Sequence, residues 1–169
     1  AMECDSACVR RCHKVLKALD APLEGWFCVG VLDHGVDSFT CELCDCKKVR
    51  YIHAMRHEHY LADIKVGCIC AGVMEGDILA AQERDAEAKR YSQRKSHYLK
   101  REWNAVGEGR WRILYKRREI FIWREQFCSR DFFKININGE QYHWKDNRRM
   151  GSFLAAQHYV FDLVESEVT

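Results

Sequence analysis

Apolar positions at helical spacing open the chain: Val9, Cys12, Leu16 and Leu19 share one stripe, and "DAP", ending at the single proline Pro22, closes a helix predicted over residues 3–20. "WFCVGVLD" at 26–33 then reads as a strand, and "HGVDSF" as the turn that follows. In "KVRYIHAM" polar and apolar residues alternate, which puts Tyr51, His53 and Met55 on one face of a strand and Arg50 and Ile52 on the other. "HEHYLAD" turns the chain and "IKVG" returns it. Residues 68–103 contain no proline and are rich in Ala, Glu, Lys and Arg, so one long helix is predicted from about residue 70 to 104, with "NAVGEG" as its end. Met74, Ile78, Ala81, Ala88, Tyr91 and Leu99 or Trp103 lie near its apolar stripe.

The last third has the two-residue period of β structure. "RWRILYKRREIFIWRE" reads as two strands or one bent strand. "FFKININGEQYHWK" reads as a hairpin, because Asn138-Gly139 accepts the positive φ angles of a two-residue turn. Pairing across that turn sets Ile137 opposite Glu140, Asn136 opposite Gln141, Ile135 opposite Tyr142, Lys134 opposite His143 and Phe133 opposite Trp144. One face is apolar; the other holds Lys134, Asn136, Gln141 and His143. "SFLAAQHYVFDLVES" is an amphipathic helix whose Phe153, Ala156, Val160 and Val164 can cover the apolar face. The expected fold is therefore α+β, in three regions. Residues 1–40 form a helix and strand, 41–104 a cysteine-rich module running into a long helix, and 105–169 an antiparallel sheet with one packing helix.

With 169 residues, 47% of them hydrophobic, the chain can bury a core. No stretch approaches the roughly 18 apolar residues of a membrane span, and "AMECDSACVRRCHKVLKALD" has no uninterrupted apolar leader. The expectation is a cytoplasmic protein without a membrane partner. In a reducing compartment its ten cysteines point towards metal binding, packing or reactivity rather than disulfides. The net charge of +2 conceals segregation: residues 84–149 carry 18 Lys/Arg against 9 Asp/Glu. A polyanion-facing surface is one meaning of that balance, and a solvated basic face is the other.

Five cysteines and three histidines crowd into residues 41–72. Cys41 and Cys44 have the Cys-x-x-Cys spacing that aims two sulfurs at one metal, and Cys68 and Cys70 follow a hairpin at the start of a helix, where the N-terminus favours thiolates. A structural Zn2+ held by Cys41, Cys44, Cys68 and Cys70 is the expectation. Because the second pair is Cys-x-Cys, His53 is the alternative to Cys68, with His57 and Cys46 behind it. Four thiols describe a closed site rather than a catalytic one. The His-x-Glu and Pro-Cys-x-x-Cys elements of nucleobase deaminases are missing. An HNH-like nuclease needs a further polar ligand on the following helix, whose first turns offer Glu75 and Asp77. Cys4, Cys8 and Cys12, one helical face followed by His13, fit either packing or a second metal half-site, with packing favoured.

On the long helix Arg90, Arg94, His97 and Arg101 form a basic stripe, with Lys134, Asn136, Arg148 and Arg149 adding possible nucleic-acid contacts on the sheet. "CELC", "VRYIHAMRH" and "VGCICAGVMEGD", with the basic helix and the closing strand–helix segment, resemble a family of small, largely uncharacterised bacterial and phage-associated treble-clef-like zinc-finger proteins. That resemblance implies zinc at Cys41, Cys44 and the Cys68/Cys70 region, with His53 in the same signature. "FFKININGEQYHWK…SFLAAQHYVFD" is similar in outline to three-stranded-sheet-plus-helix DNA-binding domains of the plant ethylene-response type and of some phage integrases. A double-stranded RNA-binding domain also fits the order of elements. The expected function is zinc-stabilised, non-enzymatic nucleic-acid binding. Its alternatives are a protein-interaction or inhibitory accessory factor in phage–host conflict and, behind that, an HNH-like nuclease.

Overall fold

The computed structural model of the protein describes residues 6–168, which contain four helices and three antiparallel sheets. The chain forms two compact units, residues 1–93 and 94–169.

In the first unit, α1 (Ser6–Ala18) precedes the strands β1 (Phe27–Asp33), β2 (Tyr51–His57) and β3 (Tyr60–Val66), which pair in that order. The part of the predicted first helix before Ser6 lies outside the described residues. Cys12 and Leu16 of its stripe are buried, while Leu19 is exposed. Strand β2 is central and buries Ile52, His53, Ala54 and Met55 on both faces, a pattern that simple alternation does not describe. Next comes α2 (Cys68–Glu75), and its Cys70, Ala71 and Met74 join Cys12, Leu16, Trp26, Cys41, Leu43, Met55, Ile64 and Val66 in one core.

The long helix expected from about residue 70 to 104 is broken. α2 stops at Gly76, which takes the left-handed conformation at φ 74, and its amide bonds back to the carbonyls of Gly72 and Val73. Asp77 then caps α3 (Ile78–Leu99) through a 3.0 Å bond from the Ala80 amide to its carboxylate. Composition alone favoured continuity, but Gly76-Asp77 is a stop signal followed at once by a start signal. The reversal packs the two helices so tightly that a Cβ on Gly72 would lie 2.7 Å from the Ile78 Cα.

The second unit contains the end of α3 and a five-stranded meander: β4 (Asn104–Gly107), β5 (Arg110–Tyr115), β6 (Arg118–Phe127), β7 (Arg130–Ile137) and β8 (Glu140–Tyr142). "RWRILYKRREIFIWRE" is thus two strands. Three hairpins turn on residue pairs with positive φ: Lys116-Arg117, Cys128-Ser129 and the foreseen Asn138-Gly139. Ile137, Asn136 and Ile135 pair with Glu140, Gln141 and Tyr142. The expected pairs Lys134–His143 and Phe133–Trp144 do not form. Instead β9 (Trp144–Lys145) turns onto β10 (Arg148–Arg149) through Asp146-Asn147, and Phe133 bridges to Met150. Helix α4 (Phe153–Val168) buries Ala156, Val160, Phe161 and Val164 and packs on β6 and β7, with Trp111 and Phe153 rings 4.7 Å apart. Ile113, Tyr115, Ile120, Ile122, Phe133, Ile135 and Ile137 make up the buried side of the sheet.

Gly72→Ala should destabilise the first unit by about 1–3 kcal/mol, because the new methyl meets backbone and cannot be relieved by a rotamer change. Gly151→Ala, where an added Cβ meets nothing within 4 Å, is the control, and thermal melts of both chains read the difference.

Candidate metal centre and basic surface

Cys41 opens a tight loop in which its amide bonds to the Cys46 carbonyl at 2.8 Å and the Asp45 amide bonds to its carbonyl at 3.1 Å. Asp45 takes a positive φ of 59, which lets the loop close. The loop brings Cys44 back beside Cys41, and the Gly67 amide that precedes α2 donates to Cys41 Sγ at 3.5 Å. Cys70, in the first turn of α2, completes a set: the Sγ atoms of Cys41, Cys44 and Cys70 all lie within 4.8 Å of one another. A second set is formed by Cys8, Cys12 and Cys70 within the same limit, and Cys12 Sγ is 3.5 Å from Cys70 Sγ. Tetrahedral zinc with bonds of about 2.3 Å to sulfur places its ligands roughly 3.8 Å apart. Both groups of thiols are therefore close enough to hold a metal ion, and Cys70 belongs to each.

The thiols also polarise one another. Cys41 is drawn down to about 5, first by the hydrogen bond from Cys70 and then, against the effect of burial, by the amides of Cys44, Gly67 and Leu43. Cys12 is likewise lowered, chiefly by its hydrogen bond with Cys70. Cys70 is pushed up because its proton is shared towards Cys12 and Cys41, and burial raises Cys44. Such an arrangement presents preformed thiolate character to a cation, whose binding displaces the remaining protons.

Cys68 is not brought to Cys41, Cys44 and Cys70. It lies with His53 and Asp85, whose ligating atoms are within 4.8 Å of its Sγ and of each other. Burial, and next the charge of Asp85, push the Cys68 thiol up to about 11. His53 is fully buried and its Nε2 stands 3.1 Å from Asp85 Oδ1. The reserve ligands are elsewhere: Cys46 is exposed, and His57 bonds to the Glu24 carbonyl and the His59 amide. Helical spacing places Cys8 and Cys12 on one face and favours packing over a second metal half-site; only the tertiary fold shows that this face meets Cys70. Cys4 lies outside the described residues.

The basic stripe of α3 is engaged within the protein. Arg90 pairs with Glu83 at 2.7 Å and Glu87 at 2.8 Å, Arg94 with Glu165 at 3.2 Å, and Arg101 donates to the Leu114 carbonyl at 3.0 Å. Lys116 and Arg118 likewise meet Glu165 and Glu167 of α4 at 2.7 Å and 2.9 Å. Arg148 and Arg149 make no ion pair among the described residues; Arg149 instead lies over the rings of Phe132, at 5.3 Å, and Trp144, at 4.9 Å. Lys134 sits 4.7 Å above Trp123 and 2.6 Å from Glu125, and the side-chain Oδ1 of Asn136 accepts from the Gly139 amide at 2.9 Å. No helix among the described residues is long and apolar enough to cross a membrane. Comparison of the chain with known protein families, with curated proteins and with solved structures finds no match.

Cys70→Ser should abolish retention of the metal held by the thiol cluster and cost the first unit about 4 kcal/mol or more, the range reached when a structural metal is lost. Cys46→Ser should change neither, as read by metal analysis and thermal melts. A second test concerns Glu165: burial opposes its charge, but Lys116 and Arg94 outweigh burial and hold its carboxyl below the usual range. A depressed folded-state value stabilises above the unfolded value, and that gain disappears as pH falls through the folded one. Glu165→Gln should therefore cost about 2 kcal/mol at neutral pH, and the gap between the two chains should narrow in melts taken below about pH 4.

Proposed function

We propose that the protein is a zinc-stabilised, non-enzymatic nucleic-acid-binding protein in which single-stranded nucleic acid stacks on the side of the β4–β8 sheet opposite α4. In this reading the loop of Cys41 and Cys44, the β2–β3 hairpin and the start of α2 form a treble-clef-like module. One Zn2+ is held there by Cys41, Cys44 and Cys70, with Cys12, whose sulfur is 3.5 Å from that of Cys70, as the fourth ligand, and it holds the fold rather than the substrate.

The observation that carries the binding proposal is the composition of that sheet side. Register places Arg110, Trp123 and Lys134 in one row and Arg112, Phe121 and Asn136 in the next, with Phe132 beyond them. Trp123 lies under both Lys134 and Arg110, the latter at 5.9 Å, and the Phe121 and Trp123 rings are 6.2 Å apart. A side chosen only for solubility would not spend three aromatic residues there, and none of the three is buried. Aromatic faces accept any base by stacking, while neighbouring cations take phosphates. The paired cations, those of α3 and also Arg112 with Glu119 at 2.7 Å and Lys134 with Glu125, contribute less, because a phosphate must compete with a carboxylate already in place.

The test is binding of labelled oligothymidylate and oligouridylate at low salt, followed by a salt titration. If Arg110, Arg148 and Arg149 each meet a phosphate, log affinity should fall against log salt with a slope of about −2. Trp123→Ala should weaken binding about tenfold at constant salt, in line with the stacking energy of one base. Absence of binding at low salt would remove the proposal and leave the sheet side as a protein-docking surface.

A further inference from the structure

We propose that His53, Cys68 and Asp85 form a second metal site, separate from the thiol cluster, which takes a divalent first-row transition metal and leaves one coordination position open to solvent. The three side chains come from three elements of the first unit: β2, the first residue of α2, and α3. Their nitrogen, sulfur and oxygen atoms nevertheless lie within 4.8 Å of one another. Chance proximity on a surface does not account for this, since His53 is fully buried.

The histidine supplies an independent sign of a ligand. Its Nδ1 is buried and has no hydrogen-bond partner among the described residues, although Nε2 faces Asp85. With the proton on Nε2, the ring donates to Asp85 and buries an unused lone pair. With the proton on Nδ1, a lone pair and a carboxylate oxygen confront each other at 3.1 Å, and the buried N–H is unsatisfied. A cation between Nε2 and the Asp85 carboxylate fixes the proton on Nδ1 and turns the confrontation of lone pairs at 3.1 Å into two metal bonds. The chemistry of the donors selects the cation. Imidazole, thiolate and carboxylate together suit zinc and its neighbours, whereas the sulfur disfavours magnesium and calcium.

The site differs from the thiol cluster in having one side open. Cys68 and Asp85 line a cleft of about 270 Å³ together with Lys48, Arg50, Tyr51 and Gly67. Three protein ligands beside such a cleft leave room for water or a small anion in the fourth position, the arrangement of a reactive rather than a purely structural centre.

Cobalt substitution of the full chain tests both parts of the proposal. Metal analysis should show that Asp85→Ala and Cys68→Ser each bind one equivalent fewer than the unaltered chain, while Cys46→Ser binds the full number. Asp85 is partly exposed, so Asp85→Ala should keep its circular dichroism spectrum and separate ligand loss from unfolding. The optical bands lost in Asp85→Ala should shift in the unaltered chain when azide is added, as an open position requires. Full metal content in both variants overturns the second site, and bands that ignore azide overturn its open position. Loss of the thiol-bound equivalent in Cys41→Ser is a separate readout, so the two centres stand or fall independently.

Discussion

The first unit depends on one position, Cys70. Its sulfur is shared between the Cys41/Cys44 pair and the Cys8/Cys12 pair, so three otherwise separate pieces of chain must meet at the first turn of α2. Gly67 and the loop from Cys41 to Cys46 shape the approach from one side, and the buried stripe of α1 shapes it from the other. Around these thiols the core buries Leu16, Leu43, Met55 and Met74 together with the small Ala71 and Ala81. A metal bound by these thiols would add directional metal–sulfur bonding to that apolar burial.

The same convergence governs what the sequence makes readable. The Cys-x-x-Cys spacing of Cys41 and Cys44, and the helix start at Cys68 and Cys70, are local features, and local spacing identifies them. Whether Cys68 or Cys70 turns inward is decided by helix phase: two residues along a helix rotate a side chain by about 200°. They consequently serve different neighbours, Cys70 the thiols and Cys68 the pair His53 and Asp85. Cys12 and Asp85 are linked to their partners only by tertiary packing, so no local motif signals them. Fold reading follows the same rule. Asn138-Gly139 announces its turn, whereas Lys116-Arg117 and Cys128-Ser129 adopt equivalent positive φ angles without a glycine to mark them. The break at Gly76-Asp77 carried a legible signal, outweighed by the Ala- and Glu-rich sequence around it.

Charge shows the opposite case, a clear pattern whose meaning changes with structure. The excess of Lys and Arg over residues 84–149 is real, but α3 and α4 answer much of it from within: Glu83 and Glu87 on one helix, Asp162 and Glu165 on the other. What is left is less a stripe of cations than a sheet side in which Arg110, Lys134 and Arg149 lie against aromatic rings. Arg110 and Arg149 rest on those rings with no ion pair among the described residues, a state in which a phosphate can replace water at low cost, whereas Lys134 also meets Glu125.

In the proposed reading, metal held at Cys70 fastens α1, the Cys41–Cys46 loop and α2 together. Hydrogen exchange of the intact chain before and after removal of metal by a chelator tests it most directly. The amides of Cys41, Asp45, Gly67 and Ala71 should lose protection together with those of α1, while the β5–β7 amides of the second unit keep theirs. Unchanged protection across the first unit after complete metal removal would contradict the claim.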